Sequence, residues 1–142
     1  MEPKRNRTQV LFVCVGNTCR SQMAEALARH LAADVIEPSS AGISPYGRIV
    51  DTTRRVLLER GVSVDGQYSK GLRDVAPATA DLVVNMTGIP GTALFPRVRV
   101  VDWDVEDPYG EELAVYRRIR DEIEERVAEL AESLRRDGSQ PT

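Results

Sequence analysis

The chain has 142 residues, of which 42% are apolar and 29% are charged, a composition typical of a folded globular protein. Its net charge of −3, with both signs interspersed, excludes the basic surface of a nucleic-acid-binding protein. Segment 1–7 is basic but leads into only four apolar residues, too few for a signal peptide or a membrane span. We therefore expect a cytoplasmic protein of one domain, 1–142, with flexible ends at 1–8 and 137–142.

Predicted strands and helices alternate along the chain. Short apolar runs predict four strands, at Val10–Val13, Val35–Ile36, Leu82–Met86 and Val98–Val101. The second is weak and ends at the polar stretch 39–42. Apolar residues three or four positions apart predict three helices, at 22–33, about 52–60 and 113–134, with Gly61 ending the second. This alternation predicts an α/β fold, with a mostly parallel sheet covered on both faces. In such folds ligands bind beyond the carboxyl ends of the strands, here the segment after Val13.

That segment, Cys14–Ser21, has the position and composition of a phosphate-binding loop. It follows a predicted buried strand, contains glycine and asparagine, and leads directly into a predicted helix. Unpaired N–H groups at a helix N-terminus bind phosphate and stabilise a thiolate. Arg20 offers a planar fork for two phosphoryl oxygens, and Ser21 can donate a hydrogen bond to the Cys14 sulfur. The pattern predicts a nucleophilic Cys14, in preference to a merely buried Cys14 and a surface Arg20.

Metal binding is not predicted. Two cysteines, Cys14 and Cys19, and one distant histidine, His30, make a poor set of metal ligands. His30 is interpreted as a solvated residue at the end of the first helix.

Residues 10–27, Val-Leu-Phe-Val-Cys-Val-Gly-Asn-Thr-Cys-Arg-Ser-Gln-Met-Ala-Glu-Ala-Leu, resemble the low-molecular-weight protein tyrosine phosphatase superfamily, which also includes related arsenate reductases. The similarity continues at Ser40–Gly42, at Asp81–Met86 and at Asp107–Gly110 before the long last helix. It therefore covers nearly the whole chain in order. The resemblance implies a four-stranded parallel sheet flanked by helices, a phosphate-binding loop after the first strand, and no cofactor.

The resemblance also assigns roles to individual residues. It makes Cys14 the nucleophile, Arg20 the phosphate clamp and Asp107 the general acid. By itself Asp107 is better interpreted as the start of a turn, and only its combination with the loop favours catalysis. As an acid it would protonate the departing phenolate, whose parent phenol has a pKa of ~10, and raise the reaction rate by ~10²–10⁴-fold. The other implied residues are the loop members Val15, Gly16, Asn17, Thr18, Cys19 and Ser21, the supporting Ser40 and Gln67, and the cleft residues Tyr46 and Tyr109.

Two of these implied roles have further consequences. Gln67 lies near the position of a family histidine, and an amide can supply similar hydrogen bonds. Cys19 matches a loop cysteine that pairs with the nucleophile under oxidation, so a thiol reductant for the Cys14/Cys19 pair is an expected partner.

The favoured substrate is phosphotyrosine in a phosphoprotein, or a small phosphate ester, but three alternatives stay open. Gln22 and the Trp103-to-Asp107 spacing favour an arsenate reductase, which would need an external thiol because Asn85–Thr92 contains no cysteine. Thr18 favours an arginine phosphatase. A non-catalytic phosphate-binding module is disfavoured because nucleophile, clamp and acid are all intact. No membrane or nucleic-acid partner is predicted.

Overall fold

The computed structural model describes residues 7–138, which form an all-parallel four-stranded sheet flanked by helices. The strands are β1 Thr8–Cys14, β2 Ile36–Gly42, β3 Leu82–Asn85 and β4 Val100–Asp102, in the spatial order β2-β1-β3-β4. The α-helices are α1 Arg20–Leu31, α2 Asp51–Leu58, α3 Gly91–Leu94 and α4 Leu113–Gly138. The α/β fold predicted from the sequence is confirmed.

Strand β1 is central, and it is buried on both faces of the sheet. Val10, Phe12 and Cys14 belong to the larger core cluster, which includes residues of α1, α2 and α4. Leu11 and Val13 belong to a smaller cluster on the opposite face. This alternation follows from the two-residue period of a strand, and it explains why β1 reads as a continuous apolar run. It also puts the Cys14 side chain on the face covered by α1 and α4.

Strand β2 is longer than the sequence analysis predicted. It continues through residues 39–42, and Ser40 and Gly42 pair with Phe12 and Cys14 of β1. The prediction stopped early because two serines and a glycine have low strand propensity, whereas pairing with a neighbouring strand overrides propensity. Gly61 follows α2 with a φ of +72°, as expected for a glycine that ends a helix.

Three short elements were not predicted at all. They are α3 and two 3₁₀ turns at Leu72–Asp74 and Pro77–Thr79. Segments of three or four residues are too short to display an apolar period.

Regular structure extends into both predicted flexible ends, since β1 begins at Thr8 and α4 continues to Gly138. The rest of those ends, 1–6 and 139–142, lies outside the described residues. Within 7–138 no helix is both long enough and apolar enough to cross a membrane.

Candidate active site

The loop between β1 and α1 turns tightly against the end of β2. A Cβ atom on Gly42 would lie 2.6 Å from the Val15 carbonyl oxygen and 2.9 Å from the Asn17 nitrogen. Only glycine permits this close approach. Asn17 has a φ of +50°, and among the described residues it is the one non-glycine residue with a positive φ. The loop is therefore held in a conformation that costs free energy and needs support from its surroundings.

Four hydrogen bonds to the buried Asn17 side chain supply that support. Its Nδ2 donates to Ser21 Oγ at 2.7 Å and to Ser40 Oγ at 3.0 Å. Its Oδ1 accepts from Gln22 Nε2 and from the Lys70 backbone nitrogen, both at 2.9 Å. The structure thus brings together Asn17, Ser21 and Ser40, the three residues assigned to this role from the sequence.

Cys14 is 2% exposed, and its Sγ lies 2.9 Å from Ser21 Oγ. Ser21 is the second residue of α1, so this contact brings the sulfur close to the start of that helix. A hydroxyl donor and the positive end of a helix dipole are both placed where they can interact with negative charge on the sulfur. The arrangement is suited to a sulfur nucleophile.

Arg20 lies buried beside this loop and is held in a fixed position. Its Nη1 donates to the carbonyl oxygens of Met86, at 2.5 Å, and Val105, at 3.1 Å. Its Nη2 lies 3.5 Å from Asp107 Oδ2. Its Nε is buried without a hydrogen-bond partner among residues 7–138. A buried unpaired N–H is costly, and a phosphoryl or arsenyl oxygen would satisfy it.

Asp107 is half exposed, and its carboxyl group lies at the mouth of the site. Its Oδ1 accepts a hydrogen bond from the Tyr109 backbone nitrogen at 3.1 Å, which fixes the orientation of the carboxyl group. Asp107 therefore meets the Arg20 guanidinium on one side and solvent on the other.

Cys14, Arg20 and Asp107 share one cleft of about 190 Å³. Its remaining lining residues are Val15, Gly16, Thr18, Cys19, Ser44, Tyr46 and Tyr109. The rings of Tyr46 and Tyr109 meet edge to face, with centroids 5.2 Å apart. A hydrogen bond between the two hydroxyls lowers the pKa of Tyr46, with help from Arg48, and raises the pKa of Tyr109. The pair forms one wall of the cleft.

Thr18 attaches the loop to the segment before α2. Its hydroxyl donates to the Arg48 carbonyl oxygen at 2.6 Å and accepts from the Val50 nitrogen at 3.0 Å. Its own carbonyl oxygen accepts from Thr53 Oγ1 at 2.9 Å. The hydroxyl proton is therefore used within the protein.

Cys19 is 2% exposed and faces α4, where its Sγ lies 3.6 Å from the Tyr116 hydroxyl. Burial raises the pKa of the Cys19 thiol to about 11. Both cysteines are free.

Gln67 reaches the loop indirectly. Its Nε2 donates to Gln22 Oε1 at 2.7 Å, and Gln22 in turn contacts Asn17. Sequence reasoning assigned no supporting role to Gln22. It also missed Glu25, a 6% exposed carboxylate that accepts from Ser40 Oγ at 2.5 Å. One signal was available for Glu25, because it lies one helical turn after Ser21 on α1.

The described residues contain no group of three or more His, Cys, Asp or Glu side chains that could hold a metal ion. His30 is exposed at the end of α1.

Comparison with known proteins agrees with this geometry. The family model for low molecular weight phosphotyrosine protein phosphatases matches residues 9–140. The chain belongs to this family. The resemblance stated from the sequence is thereby confirmed, and the chain is an enzyme of this group.

Among curated relatives, arsenate reductase 1 of Bacillus cereus is 37% identical over 134 residues, covering 90% of this chain and 97% of the relative. The glutaredoxin arsenate reductase of Synechocystis is 36% identical over 126 residues, covering 86% and 95%. Among solved structures, the YwlE arginine phosphatase from Geobacillus stearothermophilus has a TM-score of 0.80 at 31% identity, covering 92% and 94%. A low molecular weight protein tyrosine phosphatase from T. tengcongensis has a TM-score of 0.77 at 31% identity, covering 89% and 99%. The family's members thus divide between reductases and phosphatases.

Proposed function

We propose that the protein is a cysteine-dependent phosphatase that hydrolyses aryl phosphate esters, phosphotyrosine in proteins above all. The observation that carries this proposal is the shared cleft, in which Cys14, the Arg20 guanidinium and the Asp107 carboxyl group surround the space for one phosphoryl group. Hydrolysis needs all three groups, whereas a binding module would need only the loop and the arginine.

The proposed reaction has two steps. The Cys14 thiolate attacks phosphorus while the phenolate leaves and takes a proton from Asp107. The resulting phosphocysteine is then attacked by water, which gives its proton to the Asp107 carboxylate. Ser21 Oγ, 2.9 Å from the sulfur, donates a hydrogen bond to Cys14 as it leaves phosphorus. Arg20 binds the phosphoryl oxygens throughout, with its unpartnered Nε as one donor.

The Tyr46–Tyr109 wall supports an aromatic leaving group. Both rings are about half exposed, at 46% and 45%, and both line the cleft that holds Cys14. A phenyl ring entering between the wall and the loop would gain edge-to-face contacts of about 0.5–1.5 kcal/mol beyond simple burial. A long aromatic side chain can also bring its phosphate to a sulfur that is only 2% exposed.

Arsenate reduction is the second candidate, because the two curated relatives above carry that name. In this reaction the Cys14 thiolate would displace water or hydroxide from arsenate. A second thiol would then attack the Cys14 sulfur, releasing arsenite and leaving a disulfide that a third party reduces. The chain has one other cysteine, Cys19, and its raised pKa disfavours the thiolate. An external thiol, for example glutaredoxin, would therefore have to complete the cycle.

Phosphoarginine is the third candidate, and YwlE, named an arginine phosphatase, is its precedent. Thr18 favoured this activity from the sequence, and the role that its hydroxyl would have is to orient the attacking water. Because that hydroxyl donates its proton to the Arg48 carbonyl oxygen, we rank phosphoarginine below phosphotyrosine.

One preparation assayed on all three substrates tests the proposal. We expect the highest kcat/KM on a phosphotyrosine peptide, compared with a phosphoarginine peptide and with arsenate supplied with thioredoxin, glutaredoxin and mycothiol systems in turn. Faster arsenate turnover with any of these thiol systems would overturn the ranking in favour of a reductase.

A further inference from the structure

The buried Gln22 side chain is joined to the loop and to the surface by one series of hydrogen bonds. Gln22 is fully buried, and its Nε2 reaches Asn17 Oδ1 at 2.9 Å. Gln22 Oε1 accepts from Gln67 Nε2 at 2.7 Å, and Gln67 Oε1 accepts from Arg29 Nη1 at 2.7 Å. We call this series, Arg29–Gln67–Gln22–Asn17, the amide arm.

A second series connects the same two ends. Arg29 Nη2 lies 2.7 Å from Glu25 Oε2, and Glu25 Oε1 accepts from Ser40 Oγ at 2.5 Å. Ser40 Oγ accepts in turn from Asn17 Nδ2 at 3.0 Å. We call this series, Arg29–Glu25–Ser40–Asn17, the carboxylate arm. The two arms form a closed ring of hydrogen bonds from Arg29 to Asn17.

The chemistry of the end groups fixes the direction of every bond in this ring. A guanidinium can only donate, so Gln67 must turn its oxygen towards Arg29 and its amide towards Gln22. Gln22 must then turn its amide towards Asn17 Oδ1. A carboxylate can only accept, so Ser40 must donate to Glu25 and accept from Asn17 Nδ2. Both arms therefore require the same orientation of the Asn17 amide, and the Lys70 backbone N–H, which donates to Oδ1, agrees.

This orientation decides which atom donates between Ser21 and Cys14. Asn17 Nδ2 donates to Ser21 Oγ at 2.7 Å, so the hydroxyl proton of Ser21 is free to point at Cys14 Sγ, 2.9 Å away. If the Asn17 amide were reversed, its oxygen would compete with the sulfur for the Ser21 proton. A sulfur that accepts a hydrogen bond is stabilised as the thiolate.

We propose that Gln22 and Gln67 are positioning residues which, together with the Arg29–Glu25 pair, direct the hydroxyl proton of Ser21 onto the Cys14 sulfur. This inference rests on Cys14 being the nucleophile of the proposed function. It holds equally for phosphate and arsenate chemistry, because both begin with the same thiolate. It gives Gln22 a physical role in the chain, independent of which substrate the enzyme uses.

Because both arms hold the Asn17 amide in the same orientation, we expect either arm to maintain it when the other is broken. Gln22→Met breaks the amide arm with little change in volume, and Ser40→Ala breaks the carboxylate arm. Each should lower kcat/KM by about fivefold, the size of one lost hydrogen bond. The double variant should lose about 100-fold, more than the product of the two, because only the Lys70 backbone N–H then favours this orientation of the Asn17 amide.

The direct measurement is alkylation of Cys14 by iodoacetamide, with mass spectrometry to locate the adduct. The alkylation rate is measured across the pH range, and on the rising part of that profile it should fall in parallel with kcat/KM in all three variants. The titratable and charged residues that line the cleft with Cys14, namely Cys19, Arg20, Tyr46, Asp107 and Tyr109, are the same in every variant. This readout needs no substrate, so it tests the inference separately from the phosphatase assignment.

Arg29 offers a test that leaves the buried residues intact. Arg29→Met removes the origin of both arms, whereas Arg117→Met removes a comparable surface arginine paired with Glu59. We expect slower alkylation in the Arg29 variant and no change in the Arg117 variant. Equal alkylation rates in these two variants would overturn the proposal. So would an alkylation rate in the Gln22/Ser40 double variant that matches the parent, even if its kcat/KM falls.

Discussion

Cys14 and Cys19 belong to one loop and are equally buried, yet they have opposite surroundings. The Cys14 sulfur faces the Ser21 hydroxyl and shares a cleft with Arg20. The Cys19 sulfur faces α4 and the Tyr116 hydroxyl, and burial raises its pKa to about 11. Residue type and exposure are the same at the two positions. The proposal that Cys14, and not Cys19, is the nucleophile therefore rests on which donors and charges surround each sulfur.

The largest expected difference is between serine substitutions at the two positions. Cys14→Ser should lower aryl phosphatase kcat by at least about 10⁴-fold, because a serine hydroxyl has no base beside it to ionise it. Vanadate or phosphate binding should persist, since backbone N–H groups and Arg20 form the cradle. Cys19→Ser should keep kcat within about tenfold, as Cys19 takes no part in hydrolysis. Steady-state kinetics and isothermal titration check both variants. A Cys14→Ser enzyme that keeps a tenth of its activity would end the assignment of Cys14 as nucleophile.

The second prediction concerns Asp107, which lines the same cleft as Cys14 and lies beside Arg20. Asp107→Asn should lower kcat/KM for phosphotyrosine by about 10²–10⁴-fold, because the amide cannot protonate the phenolate. An aryl phosphate with an acidic phenol should lose much less, since its leaving group needs no proton. The measurement is kcat/KM over a series of phenols. Equal losses across the series would show that Asp107 orders the loop and donates no proton.

The third prediction is a pH dependence of stability from Cys19. Burial raises the pKa of Cys19 from its ordinary 9.0 to about 11, so the folded state holds this proton more tightly than the unfolded chain. The buried Cys19 thiol therefore contributes about 3 kcal/mol to the free energy of unfolding below pH 9, and this contribution is lost as the pH rises to about 11. Denaturant unfolding at several pH values, compared with Cys19→Ala, isolates this loss. A parent and a variant whose stabilities fall in parallel over this window would contradict the prediction.

The sequence predicted the fold because its strongest signals are long or local. The apolar period of α4 and the apolar run of β1 do not depend on distant partners, so both were visible in the chain. The extension of β2 through Ser40 was hidden, since that segment becomes a strand only by pairing with β1. Element ends that rest on tertiary pairing cannot be read from propensity.

The candidate site likewise has a part that local sequence predicts and a part that depends on tertiary contacts. Cys14, Arg20 and Ser21 lie within eight residues, and their position between a predicted strand and a predicted helix indicates a phosphate loop. The connection of Gln22 to Gln67, 45 positions away, depends on how the segment before Lys70 folds over α1. From the sequence, Gln22 favoured an arsenate reductase, and Gln67 lay near the position of a family histidine. The structure shows the two amides hydrogen-bonded to each other, which no local pattern predicts.

The last prediction concerns the rate at which the two cysteines join. Peroxide oxidises the Cys14 thiolate to a sulfenic acid and releases hydroxide. The Cys19 thiolate then attacks the Cys14 sulfur, forming a disulfide and displacing the oxygen as water. With its pKa at about 11, only about one Cys19 in 10⁴ is ionised at neutral pH. Closure should therefore be slow, and it should accelerate roughly tenfold per pH unit until the Cys19 pKa is reached.

Rapid-quench trapping of free thiols after a peroxide pulse measures this closure. Thiol should restore the parent's activity, whereas Cys19→Ala, unable to form the disulfide, should pass on to the irreversible sulfinic acid and stay inactive. A closure rate independent of pH would show that ionisation of Cys19 does not limit the reaction. The movement of the loop that brings the two sulfurs together would then limit the rate of disulfide formation. Full recovery of the Cys19→Ala variant would show in addition that Cys19 gives the nucleophile no protection.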